Sequence, residues 1–147
     1  MKIKVIFTLM VILLAFTTVS LAKDIGFKDE TEVREYCDTF VEYLIKEDTQ
    51  NAFDLIESQW LFVPSEIQAI ELQTVKQLEL VKERFGEILG YKMLKKELVD
   101  EMFLKYTYVI KYENHILRWI FIFYKPKESW LLNTFRFDDS ISKLFDE

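Results

Sequence analysis

Between Glu30 and Glu47, apolar residues recur three and four apart, at Val33, Tyr36, Cys37, Phe40, Val41 and Leu44. That spacing predicts an amphipathic helix with one buried face. Asp48 and Thr49 offer side-chain oxygens to cap a second, shorter helix that turns Ala52, Phe53, Ile56 and Trp60 inward, so the two helices form a hairpin. Pro64 and Ser65 mark a stop and an N-cap, and Gln68, three residues after Ser65, completes a capping-box pattern for a longer third helix. Its inward stripe is Ile67, Ile70, Thr74, Leu78, Val81 and Phe85, and Gly86 ends it.

After Gly90 the pattern changes from helical to alternating, and aromatic and β-branched residues become dense. Four strands are predicted: about Tyr91 to Val99, Met102 to Tyr112, His115 to Tyr124, and Trp130 to Asp138. Asp100-Glu101, Glu113-Asn114 and the stretch from Lys125 to Ser129 are the turns, with Asn114 suited to the positive φ of a tight hairpin. Ile141, Leu144 and Phe145 give the tail enough apolar character to dock.

Turn lengths fix a register. A two-residue turn at Glu113-Asn114 sets Ile110 opposite Leu117, Tyr108 opposite Trp119 and Tyr106 opposite Phe121. A five-residue turn after Tyr124 sets Phe123 opposite Leu131, Phe121 opposite Asn133, Trp119 opposite Phe135 and Leu117 opposite Phe137. One face is then apolar but for Asn133. The other mixes Ile116, Ile120, Ile122, Tyr124, Trp130 and Leu132 with Arg118 and Arg136, which this register places directly opposite each other. Like charges so placed repel, so the expectation is a partner that brings a carboxylate to the centre of that face.

Ahead of these elements, Lys2 and Lys4 precede a nearly unbroken apolar run from Val5 to Val19, and Ser20-Leu21-Ala22 supplies small residues for cleavage. This predicts a secretory signal peptide over residues 1–22, cut after Ala22, and a secreted or periplasmic product with no stable membrane anchor. Residues 23–147 are then a single domain of ordinary size. Loss of Lys2 and Lys4 leaves 17 basic against 25 acidic residues, a balance that disfavours nucleic-acid binding. One Cys and one His leave little basis for a zinc site or a Cys–His catalytic pair, so no metal and no cofactor is expected. Cys37 lies on the first helix's apolar stripe and reads as a small buried hydrophobe.

The helix-turn-helix from Phe40-Val41-Glu42-Tyr43-Leu44 through Asp48-Thr49-Gln50-Asn51-Ala52-Phe53, and the strand ending Phe123-Tyr124-Lys125-Pro126 before Trp130-Leu131-Leu132, carry a family likeness. Over Glu30 to Asp138 the chain resembles the NTF2-like (SnoaL-like) superfamily, and within it small secreted bacterial members. The resemblance implies an α+β fold with N-terminal helices packed on the concave face of a curved four-stranded antiparallel sheet, a cone of the NTF2-like or cystatin-like kind. It also implies that enzymes of this type hold an Asp or His base and a polarising Tyr, Asp or His inside the cone.

Here the predicted inward sheet face offers no carboxylate and no His, unless a two-residue first hairpin turns Glu97 inward or a helix carboxylate reaches in. General acid–base catalysis needs such a group. The sequence therefore favours an exported, non-catalytic binding or accessory module. Tyr106, Tyr108, Trp119, Phe121, Asn133 and Phe135 are candidates to line a pocket for a small apolar ligand. Arg118, Ile120, Ile122, Tyr124, Trp130 and Arg136 are candidates for an interface with a second copy or a protein partner. The alternatives are a cofactor-free isomerase or hydrolase-like enzyme, polarising its substrate with Tyr106, Tyr108 and Asn133, and an envelope inhibitor or stress protein.

Overall fold

The computed structural model describes residues 24–61 and 63–145, so the signal-peptide expectation for 1–22 lies outside the described residues. Three helices precede four strands, an α+β order: α1 (Glu30–Ile45), α2 (Thr49–Gln59), α3 (Pro64–Phe85), β1 (Ile88–Val99), β2 (Phe103–Tyr112), β3 (Ile116–Tyr124) and β4 (Leu131–Asp138). The strands form one antiparallel meander in the order β1-β2-β3-β4.

Side chains set the helix ends. Asp29 caps α1 by accepting from the N–H groups of Thr31 at 2.8 Å and Glu32 at 3.0 Å. Asp48 caps α2 as expected, accepting from Asn51 N at 3.3 Å. The start of α3 corrects the sequence expectation: Ser65 makes no capping bond, and Val63 is the N-cap with Pro64 at the first helical position. Proline has no N–H to satisfy and forces the preceding residue into extended backbone, so it begins the helix without a capping box. Gly86, at φ +86°, ends α3 as predicted, and a Cβ there would collide with the Glu113 carboxylate. That carboxylate accepts from Glu87 N at 3.1 Å, tying the end of α3 to the β2–β3 turn.

The core lies between the helices and one face of the sheet. The whole predicted stripe of α1 is buried, as are Ala52, Phe53 and Ile56 of α2. From α3 only Ile67, Thr74 and Phe85 are buried, and Ile70, expected inward, is 38% exposed. Consequently α1 and α2, rather than α3, cover the aromatic centre of the sheet. The α3 helix approaches the sheet at its C-terminal end, where the Phe85 ring stacks on His115 at 4.6 Å and meets Tyr112 edge-on at 5.9 Å.

The β2–β3 register is the predicted one: Tyr106 faces Phe121, Tyr108 faces Trp119, and Ile110 faces Leu117. Asn114 does not take positive φ; that backbone occurs at Asp100 (φ +50°) and Glu101 (φ +54°) in the first hairpin. That hairpin is longer than two residues, since Val99 pairs with Phe103, and Glu97 therefore faces Lys105 on the outer face instead of turning inward.

The β3–β4 register differs by two residues. Trp130 leaves the ladder and exchanges two backbone hydrogen bonds with Phe27, at 2.8 and 2.9 Å, so Tyr124 pairs with Leu131. A bulge then inserts Asn133 between the Phe123–Leu132 and Ile122–Thr134 pairs. Two single-residue offsets restore the alternation beyond the bulge, so Phe135 and Phe137 stay inward, opposite Phe121 and Trp119. Leu132 replaces Leu131 in the core, and Arg118 faces Asp138 instead of Arg136.

Candidate functional site

Four of the six proposed pocket residues form a solid centre. Tyr106, Tyr108, Trp119 and Phe121 are buried, with Trp119, Tyr108 and Phe121 at 0% exposure. Phe40 of α1 meets Trp119 at 5.1 Å and Phe121 at 5.3 Å between ring centres, and Phe137 stacks on Trp119 at 4.6 Å. Phe135 is half-buried against Phe53 at 5.9 Å and Trp60 at 5.7 Å. Asn133 is exposed on its bulge, bonded through Oδ1 to the Thr134 hydroxyl at 3.0 Å, and lines no pocket with the others. The indole N–H of Trp119 is buried and has no hydrogen-bond partner among the described residues.

Grooves lie around this centre. One of about 210 Å³ lies between the α1–α2 turn, α3 and β2, lined by Leu44, Val75, Leu78, Ile110 and Tyr112. At its edge Lys82 binds Glu47 at 2.6 Å. Drug-sized ligands occupy roughly 300–1,000 Å³, so this space is small for one.

A polar row accompanies the apolar stripe of α1: Glu30, Arg34, Asp38 and Glu42, four apart and therefore on one face. The row meets β1 and β2. Glu30 pairs with Lys96, and its backbone carbonyl accepts from the Tyr106 hydroxyl at 3.4 Å. Asp38 Oδ1 accepts from the Tyr108 hydroxyl at 2.6 Å, while Arg34 Nε lies 2.9 Å from Oδ1 and 2.8 Å from Oδ2. Glu42 accepts from the Tyr91 hydroxyl at 3.3 Å.

Asp38 is thus the helix carboxylate that reaches the buried aromatic centre of the sheet, through Tyr108, and sequence reasoning left it unidentified. Its signal was the period-four polar row; what the sequence withheld was the strand opposite. Both Asp38 oxygens are already engaged. Burial, reinforced by the bond to Asp38, pushes the Tyr108 phenol far above its ordinary range, so Tyr108 acts as a donor and not as a base. Tyr108→Phe is expected to cost about 1–2 kcal/mol in urea denaturation, the loss of one charge-assisted bond from a carboxylate that keeps Arg34.

The outer face is organised differently from the expected Arg118–Arg136 opposition. Arg118 is 6% exposed, and its Nε and Nη2 donate to the two oxygens of Asp138 at 2.9 and 2.8 Å. The carboxylate inferred for a partner is supplied by β4 itself. Arg118 Nη1 also reaches the carbonyl of Lys143 at 3.4 Å, in a short turn (Ser142–Leu144) that lies over this part of the sheet. Leu144 is half-buried there, whereas Ile141 and Phe145 are exposed.

Of the six interface candidates, Arg118, Ile120 and Trp130 are buried by the chain itself. Ile122 is half-buried, Tyr124 is half-buried with its ring stacked on Phe103 at 5.3 Å, and Arg136 is exposed. A groove of about 150 Å³ crosses this face, lined by Lys95, Glu97, Lys105, Thr107, Arg118, Ile120, Arg136, Lys143 and Leu144. Lys105 binds Glu97 at 2.8 Å.

Other candidates resolve simply. Cys37 is fully buried, and burial pushes its thiol well above the usual range, which keeps it an unreactive hydrophobe. His115 is half-buried on Phe85, with Nδ1 accepting from Ile116 N at 2.7 Å. Among the described residues no group of His, Cys, Asp and Glu has the arrangement to hold a metal ion, and no helix is long and apolar enough to cross a membrane. No family profile, curated protein or solved structure matches the chain.

Proposed function

We propose that the chain is an exported, non-catalytic binding or accessory module of NTF2-like type that engages a protein partner through the outer face of its sheet. One observation carries this reading: Phe40, Trp119, Phe121 and Phe137 interlock under the helices where a ligand cone would need space. A pocket that binds is concave and open to its ligand. The enzyme alternative would draw on Asp38 as base and Tyr108 as polarising group, but they are bonded to each other, and Arg34 occupies the remaining oxygen.

Photocrosslinking in the native host tests the reading. A photoreactive residue in place of Ile122, on the outer face, is expected to give a defined protein adduct, and one in place of Asp54, exposed on α2, is expected to give none. Native mass spectrometry of the same preparation is expected to show the bare chain mass. An added apolar passenger of constant mass, with no adduct at position 122, would contradict the proposal.

A further inference from the structure

We infer that the groove across the outer face is a recognition site for clustered carboxylates on an acidic segment of the protein partner. The inference rests on the reading that this face is the binding surface, and it names the chemistry that the surface recognises.

The register lays the groove out as a grid. One row runs Lys95, Thr107, Ile120, Arg136 across all four strands, and it is flanked by the row of Glu97 and Lys105 and by the row of Arg118 and Asp138. Thr107 and Ile120 are buried and form a short, mostly apolar floor. Cationic side chains stand on both sides of it: Lys95 and Lys105 on β1 and β2, Arg118 and Arg136 on β3 and β4, and Lys143 from the C-terminal turn. Among the described residues that line the groove, five are cationic and one, Glu97, is acidic, with Asp138 adjoining, whereas the chain's overall charge is −6. Such a local field attracts anions to a surface that the rest of the molecule leaves negative.

Spacing selects among anions. Adjacent strands lie about 4.8 Å apart, so the backbones under Lys95 and Arg136 are separated by about 14 Å. Several carboxylates on an extended segment match this distribution better than one phosphate-sized ion. A second copy docked face to face would set cations against cations around a two-fold axis, which disfavours that partner. Long nucleic-acid backbones meet the acidic remainder of the chain.

The test uses the chain without residues 1–22, a labelled hexaglutamate peptide, and fluorescence anisotropy at low ionic strength. Saturable binding is expected, weakening steeply with added salt. Arg136→Gln combined with Lys143→Gln, the two exposed cations of the groove, is expected to weaken it roughly tenfold, the size of two exposed charge pairs, with an unchanged melting temperature showing that the fold is intact. Hexaglutamine is expected not to bind. Equal binding of both peptides, or no loss in the double variant, would overturn the inference. So would displacement of the peptide by millimolar inorganic phosphate, which would mark a small-anion site, or tighter binding of a single-stranded oligonucleotide. If hexaglutamate fails while the crosslinker at position 122 still captures a partner, the carboxylate inference falls and the outer-face reading stands. If both fail, the outer-face reading falls as well.

Discussion

Trp119→Ala is expected to destabilise the fold by about 3–5 kcal/mol, the range for removing a large buried aromatic. Trp119 sits at the centre of β3 with 0% exposure, between Phe40 and the stacked ring of Phe137. Its neighbours belong to three elements, α1, β2 and β4, so the lost volume cannot be recovered by shifting one of them. Trp119→Phe, by contrast, is expected to cost less than about 2 kcal/mol, because it also removes an unpaired buried donor whose desolvation is itself worth about 1–3 kcal/mol. Urea denaturation of the two variants checks the order. Equal losses would mean that the indole N–H contributes favourably, and therefore that something bonds it.

The second large effect lies on the opposite face. Asp138→Ala is expected to cost about 2–3 kcal/mol, because it leaves a nearly buried guanidinium without its two charge-assisted bonds. Arg118→Met in the same chain is expected to restore much of that loss, since an apolar side chain needs no counter-charge.

The pH dependence follows from the same pair. Hydrogen bonds from Arg118 hold the Asp138 carboxyl below its ordinary range, overcoming the opposite pull of burial, with further help from Ser140 N–H and the charges of Arg118 and Lys143. A lowered folded-state pKa contributes stability that is present in full above the unfolded value of about 3.9 and disappears as pH falls through the folded value. Melting temperatures of the wild type and Asp138→Ala are therefore expected to differ most near neutrality and to converge in acid below that range. A gap that persists there would assign the loss to packing instead of charge.

Element order and the central β2–β3 register were legible because both depend on periodicity, and no bulge interrupts that pair. The edges were harder to read. A bulge adds one residue and leaves the alternation on either side intact, so counting from a turn carries the wrong frame past it. In β1 the register shifts leave Leu89 and Leu94 as extra residues, each beside another apolar residue, Ile88 and Met93. Adjacent apolar pairs of this kind, with Leu131-Leu132 in β4, were the available signal. The withdrawal of Trp130 from the ladder had no local signal, since its partner is Phe27, on the far side of three helices in sequence. That one long-range pairing, with the Asn133 bulge, turned a supposed arginine–arginine opposition into an internal Arg118–Asp138 pair. Asp38 was missed for a related reason: a polar residue beside an apolar stripe usually meets water, and only the tertiary fold brings the Tyr108 hydroxyl to it.

The central claim is that the space under the helices is solid core and that binding happens on the other side of the sheet. Hydrogen exchange at the Trp119 indole N–H tests it most directly, because that proton is buried without a hydrogen bond and its protection reports exclusion of solvent and ligand alone. By two-dimensional NMR, the account predicts exchange at the rate of global unfolding and a resonance unmoved by added fatty acid or other flat apolar compounds. Exchange within the dead time, or a saturable shift of that resonance on titration, would show an open cavity and contradict it.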